Sequence, residues 1–185
     1  MITTITKVLP ETPNVIVTLL KAKKQLRIDA LFTDEDDLIQ DYIHSAVEGA
    51  EVYINGDLIS KTMVITLDAF QEKIVFESYP IRSITTVKYY LNSTQVTMPS
   101  DDYYLNVISS KESVLVFKDQ PNTDERFNAV EITAVIGFED ATKVPYRIKQ
   151  AILLEVSDMY ERRENRPEMI TTAAQALMRP YRKYT

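Results

Sequence analysis

Few residues in this 185-residue chain are equipped for chemistry. His44 is the single histidine and there is no cysteine, so a multi-histidine metal site, a thiolate zinc site and a cysteine nucleophile are all excluded. A general base needs an orienting partner and a reacting group within reach. His44, set between Ile43 and Ser45 in a helix-like stretch, has no such partner in evidence and reads as an ordinary helix residue. The run Asp34-Glu35-Asp36-Asp37 carries enough carboxylate for a divalent cation. A calcium loop, however, alternates its ligands over about twelve residues around a central glycine, and that pattern is missing. Compensation of a positive helix end explains the acids better. The three glycines, Gly49, Gly56 and Gly137, are scattered, so neither a phosphate-binding loop nor a dinucleotide fingerprint can be written. Tyr89-Tyr90 and Tyr103-Tyr104 have the rings to stack bases. Neighbouring strand residues face opposite ways, though, and no basic residues interleave them. The chain reads as a protein without an active site, cofactor or metal.

What remains is a basic end on an acidic body. Residues 1–145 hold 13 Lys/Arg against 22 Asp/Glu, whereas residues 146–185 hold 8 against 5. The later group includes Arg162, Arg163 and Arg166 at the end of a helix-like segment, then Arg179, Tyr181, Arg182, Lys183 and Tyr184 in RPYRKYT. Pairing with Glu161, Glu164 and Glu168, together with the negative helix end, accounts for part of the first cluster. It does not account for the second, whose arginines and tyrosines are residue types enriched at interface hot spots. A net charge of -6 weighs against nonspecific capture of DNA.

The elements that would position these residues fall into three blocks. Helical spacing marks TLLKAKKQLRID, with Thr18 as an N-cap, and then residues 33–56, capped by Thr33 or Asp34 and stopped at Asn55-Gly56. Leu38, Ile39, Tyr42, Ile43, Ala46, Ala50 and Tyr53 line one face of the second helix. Residues 57–140 change to an extended rhythm: TMVITL, KIVFESY, ITTVKYYL, DYYLNVI, SVLVFKD and AVEITAVIGF predict an antiparallel sheet or small sandwich. Helical spacing returns after Pro145, with Ile148, Ala151, Ile152, Val156 and Met159 in one stripe predicted to run to about Arg163. A shorter helix, EMITTAAQALM, follows Pro167. The expected fold is α+β: a helical bundle of an N-terminal helix pair (18–56) and C-terminal helices (145–178), with an antiparallel β region inserted (57–140) and a basic tail (179–185), all one domain. The N-terminus lacks a signal peptide pattern, and no apolar run approaches the ~20 residues that span a bilayer, so a soluble, unsecreted protein is expected.

Three blocks and the tail, in this order, resemble one family. TLLKAKKQLRIDALFTDEDDLIQDYIHSAVEGAEVYING is similar to the opening of the head-tail connector, or head completion, proteins of long-tailed double-stranded DNA phages, through Leu20, Ala22, Lys23, Leu26, Arg27, Ile28, Asp29, Asp37, Leu38, Ile43, Ala46 and Glu51. SYPIRSITTVKYY resembles a strand of that family through Tyr79, Pro80, Ile81, Ile84, Val87, Tyr89 and Tyr90. VPYRIKQAILLEVSDMYERRE is similar to its long C-terminal helix, and LMRPYR to its closing motif. Glu155, Ser157 and Asp158 depart from the residues usual in that helix. Such proteins are often labelled as DNA-packaging proteins.

The resemblance implies a structural virion part: a roughly twelve-fold ring beneath the portal that extends the DNA channel and meets a tail-side stopper or tail-completion protein. The implied location is the head-tail interface of the virion, reached from the host cytoplasm, with no membrane partner. DNA would pass through the lumen without specific binding, kept from sticking by the acidic body. Arg162, Arg163, Arg166, Arg179, Tyr181, Arg182, Lys183 and Tyr184 become the expected portal-binding set, with the tail leaving the body and the arginine-rich helix end beside it. The alternative is a DNA-binding packaging factor whose arginines contact phosphates.

Overall fold

A computed structural model describes residues 2–8, 15–76, 81–109, 112–163 and 171–182. The chain divides into two compact units, one formed by Met1–Thr12 with Ser60–Gly137 and the other by Pro13–Ile59 with Phe138–Thr185. Both classes of secondary structure predicted from the sequence are present, so the protein is mixed α+β.

The helical unit contains α1 (Leu19–Leu26), α2 (Asp36–Ile54), α3 (Tyr146–Glu161) and α4 (Thr172–Met178), with a 3-10 turn at Arg179–Tyr181. Thr18 caps α1, its hydroxyl accepting the Lys21 amide at 3.3 Å. α1 stops where Arg27 turns left-handed at φ 61° and donates its N–H back to the carbonyls of Lys23 and Lys24. Asn55, at φ 52°, ends α2 in the same way, and the Gly56 amide reaches Glu51 at 3.1 Å. Buried Ile39, Ile43, Ala46, Val47, Ala50 and Ile54 recur at three- and four-residue steps on α2. Ile148, Ala151, Ile152, Val156 and Met159 do the same on α3, and the two stripes share one core with Ala174 and Met178 of α4. Each large aliphatic side chain buried there contributes roughly 1.5–3 kcal/mol.

Two helix ends differ from the sequence expectation. Neither Thr33 nor Asp34 caps α2: Glu35 occupies that position without a side-chain cap bond, because its carboxylate is engaged elsewhere. The α3 helix ends at Glu161, short of Arg163.

Among the described residues, the β unit holds eight antiparallel strands. One sheet runs β1 (Ile2–Val8), β2 (Lys61–Leu67), β8 (Val130–Ile136), β4 (Ile81–Leu91), β5 (Thr94–Thr97); the other runs β3 (Lys73–Phe76), β7 (Glu112–Phe117), β6 (Tyr103–Ser109). Strict alternation places Met63, Ile65 and Leu67 of β2, Leu115 and Phe117 of β7, and Ile132, Ala134 and Ile136 of β8 in one core. That core is shared by both sheets, so the unit is a small sandwich. A bridge between sheets comes from Ser113, whose buried hydroxyl accepts the Ile81 amide at 3.0 Å. Six strands match the six extended stretches of the sequence, while β1 and β5 were not expected from it. β5 is a polar TQVT paired to β4 through Asn92-Ser93, both at positive φ, a geometry that suits a two-residue hairpin. The Asp124 carboxylate secures the turn by accepting both of their amides at 2.7 Å.

Candidate functional site

The segment between α1 and α2 is organised by one buried lysine. Lys23 is only 3% exposed. Its ammonium donates to the carbonyls of Phe32 at 2.7 Å and Ala30 at 3.4 Å and pairs with the Asp36 carboxylate at the start of α2. A buried ammonium is tolerated only where its donors and charge are matched, and this loop supplies both. The loop is tightened further by Asp29, whose carboxylate accepts the Leu31 amide at 2.8 Å. Leu31 and Phe32 are thereby held outward, 89% and 44% exposed.

At the same end of the unit, Glu35 ties α2 to the last turn of α3. It accepts hydrogen bonds from the Tyr160 hydroxyl and, at 2.9 Å, from the Arg163 guanidinium, which also lies 4.4 Å from the Tyr160 ring centre. The hydrogen bond from Tyr160, seconded by Arg163, holds the Glu35 carboxyl below the usual carboxylate range. The same contact raises the Tyr160 phenol and the Arg163 guanidinium above theirs.

The second buried ionisable group fastens α4. Glu155, 2% exposed, accepts the amide of Thr171 at 2.6 Å and its hydroxyl at 2.8 Å. Thr171 in turn caps α4 by accepting the Ala174 amide at 3.3 Å. The departure from the connector pattern at Glu155 is therefore a polar tie in an apolar stripe.

The structure separates the predicted basic set instead of clustering it. Arg162 pairs with Asp158 of α3 at 3.3 Å, and Arg163 pairs with Glu35 at the α2 start, not with Glu161. Arg179 and Tyr181 form the turn after α4, Tyr181 packs on the helical core, and the Arg182 guanidinium lies 5.2 Å from the Tyr53 ring at the α2 end. α2 spans 19 residues, or about 28 Å. The two groups thus sit at opposite ends of one helix, and residues 179–182 lie on the helical unit rather than leaving it. Arg166, Lys183 and Tyr184 fall outside the described residues, as do Tyr79 and Pro80 of the strand motif.

Sequence reasoning missed a groove of about 470 Å³ in the helical unit, along the first half of α3. Ile16, Val17, Leu153 and Leu177 make it apolar, Tyr146 stands 81% exposed at its side, and Lys21, Arg147 and Lys149 supply charge. Among the described residues that line it there is no carboxylate. One signal was available: Arg147 and Lys149 occupy the first turn of α3, where the helix dipole disfavours cations and no acid offsets them.

The other sequence candidates stay apart. His44 is exposed on α2. Tyr89 packs into the sandwich core, Tyr90 carries Arg126 at 3.9 Å, Tyr103 meets Phe117 at 6.4 Å and Tyr104 faces outward. Among the described residues no three His, Asp or Glu side chains converge as metal ligands, and no helix is long and apolar enough to cross a membrane.

Residues 16–100 match the family described as phage gp6-like head-tail connector protein. Over that span the chain is similar to the head-tail connector family. The description is of a structural connector and not of a catalyst. No curated protein matches the chain. Solved structures extend the likeness in fold over nearly the whole chain. A chain from the neck of an empty GTA particle computed with C6 symmetry aligns at a TM-score of 0.77 and 17% identity, covering 99% of this chain and 97% of that one. Chains from the virion of a native gene transfer agent particle and from the neck of a native GTA particle computed with C12 symmetry align at TM-scores of 0.73 and 0.71, with 18% and 17% identity and the same coverage. At such identities the likeness is one of fold.

Proposed function

We propose that this connector is a structural subunit of a virion neck, assembled as a roughly twelve-fold ring beneath the portal. It joins the DNA-filled head to the tail, extends the channel, and offers its far side to a stopper or tail-completion protein. The observation that carries the reading is the end-to-end fold match, 99% of this chain against 97% of its counterpart, to a chain from a particle neck. The two necks matched were computed with C6 and C12 symmetry, which favours a ring for this chain as well. In this reading the helical unit is a bundle interrupted by the β region, and both act as a single connector domain. Assembly begins in the host cytoplasm and ends at the head-tail interface. The acidic body gives the lumen a charge that repels phosphate, so DNA slides through without specific binding.

Portal attachment is assigned to the basic residues, with a changed emphasis. All four arginines are exposed, Arg162 and Arg163 with Asp158 and Glu35 as ion-pair partners and Arg179 and Arg182 at the opposite end of α2. Residues 179–185, including Tyr181, Lys183 and Tyr184, are assigned the main contact because their arginines and tyrosines are hot-spot residue types, with Arg162, Arg163 and Arg166 as a second one. In the full chain, Arg179→Glu with Arg182→Glu is expected to weaken binding to purified portal by roughly tenfold or more, since like charges set against each other cost several kcal/mol. Unchanged portal binding by this folded variant would refute the assignment.

A further inference from the structure

We propose that the groove at the start of α3 is the seat for the α1–α2 loop of a second copy of this chain, which makes it the repeating contact of the ring. The proposal rests on the ring reading and names its interface. The groove offers an apolar floor with three cations, Lys21, Arg147 and Lys149, and no carboxylate among its described lining. The loop offers the complement: Leu31 and Phe32 project outward, flanked by the exposed carboxylates of Asp29, Asp34 and Asp37.

Three arguments single out this occupant. Charge and apolarity both match, so the contact gains from burial while like-charged mispairing is disfavoured. Lys23 and Asp29 hold the loop backbone before any partner arrives, which lowers the ordering cost of docking. Finally, the groove follows the first half of α3, from Tyr146 to Leu153, with Lys21 and Leu177 beside it, while Glu35, which closes the loop, is bonded to Tyr160 and Arg163 at the end of that helix. Within one copy, no residue of the loop at 27–35 is among the described residues that line the groove. Two different patches of one unit make a heterologous contact, the kind that closes into a ring.

The absence of cysteine makes a direct test clean. Leu31→Cys and Tyr146→Cys are introduced singly and together into the full chain and oxidised at high concentration, with and without purified portal. Mixed single variants are expected to give the heterodimer roughly tenfold over either homodimer, and the double variant a ladder of multimers on a non-reducing gel. Adding Arg147→Glu and Lys149→Glu is expected to reduce the ladder roughly tenfold, and further adding Asp34→Lys and Asp37→Lys to restore it. Rings visible by electron microscopy without a ladder would overturn the proposal and leave the ring reading standing. Neither rings nor ladder would overturn both. Cross-linking indifferent to the groove charges, with portal binding lost instead, would assign the groove to the portal and also overturn it.

Discussion

Lys23→Met is expected to destabilise the helical unit by about 3–5 kcal/mol, the range for removing one partner of a buried ion pair. Methionine matches the length and apolarity of the lysine stem, so packing loss is small and the effect isolates the ammonium. Without it the Asp36 carboxylate loses its cation and the Phe32 and Ala30 carbonyls lose their donor, all around a side chain only 4% exposed. Chemical denaturation of the full chain measures the loss, and hydrogen exchange should place the earliest opening at residues 27–36. Adding Asp36→Asn should recover part of the loss, because two absent partners cost less than one orphaned charge. A Lys23→Met protein within about 0.5 kcal/mol of the parent, the range of an ordinary surface substitution, would show that Lys23 is not the clamp.

The second large effect is expected at Glu155. Glu155→Leu restores an apolar residue to the α3 stripe but strips the Thr171 amide and hydroxyl of their shared acceptor. Hydrogen bonds to a charged group are each worth roughly 1.5–3 kcal/mol, and the apolar gain offsets part of that, so a net loss of about 3 kcal/mol is expected. Its location matters more than its size. α4 has seven residues, too few to hold itself, and is kept in place by this tie together with buried Ala174 and Met178. Hydrogen exchange at 172–181 should accelerate far more than at α2, and portal attachment should fall with it, since Arg179 and Arg182 ride on α4. Uniform acceleration across the helical unit would contradict the local tie.

The parts of the fold that were legible in the sequence are those governed by local periodicity. Ile39, Ile43, Ala46 and Ala50, and Ile148, Ile152 and Val156, recur at helical steps because one face of each helix is buried; Met63, Ile65 and Leu67 alternate because one face of β2 is. β5 carried no such signal, being four mostly exposed residues held by a turn and by Asp124, some thirty positions away. The polar ties were hidden for the same reason. Lys23 resembled any other lysine between apolar positions of α1, and only its place in the connector motif marked it. Glu35 looked like a dipole acid until its partners Tyr160 and Arg163, more than a hundred residues downstream, were in place. Arg162, Arg163, Arg179 and Arg182 are close in sequence, yet α4 runs back along α3 and carries the last two to the other end of α2.

The central claim is that this chain joins portal to tail in a virion neck. Affinity purification of the tagged full chain from cells producing the parent particle, with mass spectrometry of the eluate, tests it most directly. The account predicts portal and tail-completion proteins together with the connector itself. Recovery of nuclease-sensitive DNA or a packaging motor, with portal absent, would contradict it and favour a DNA-binding packaging factor.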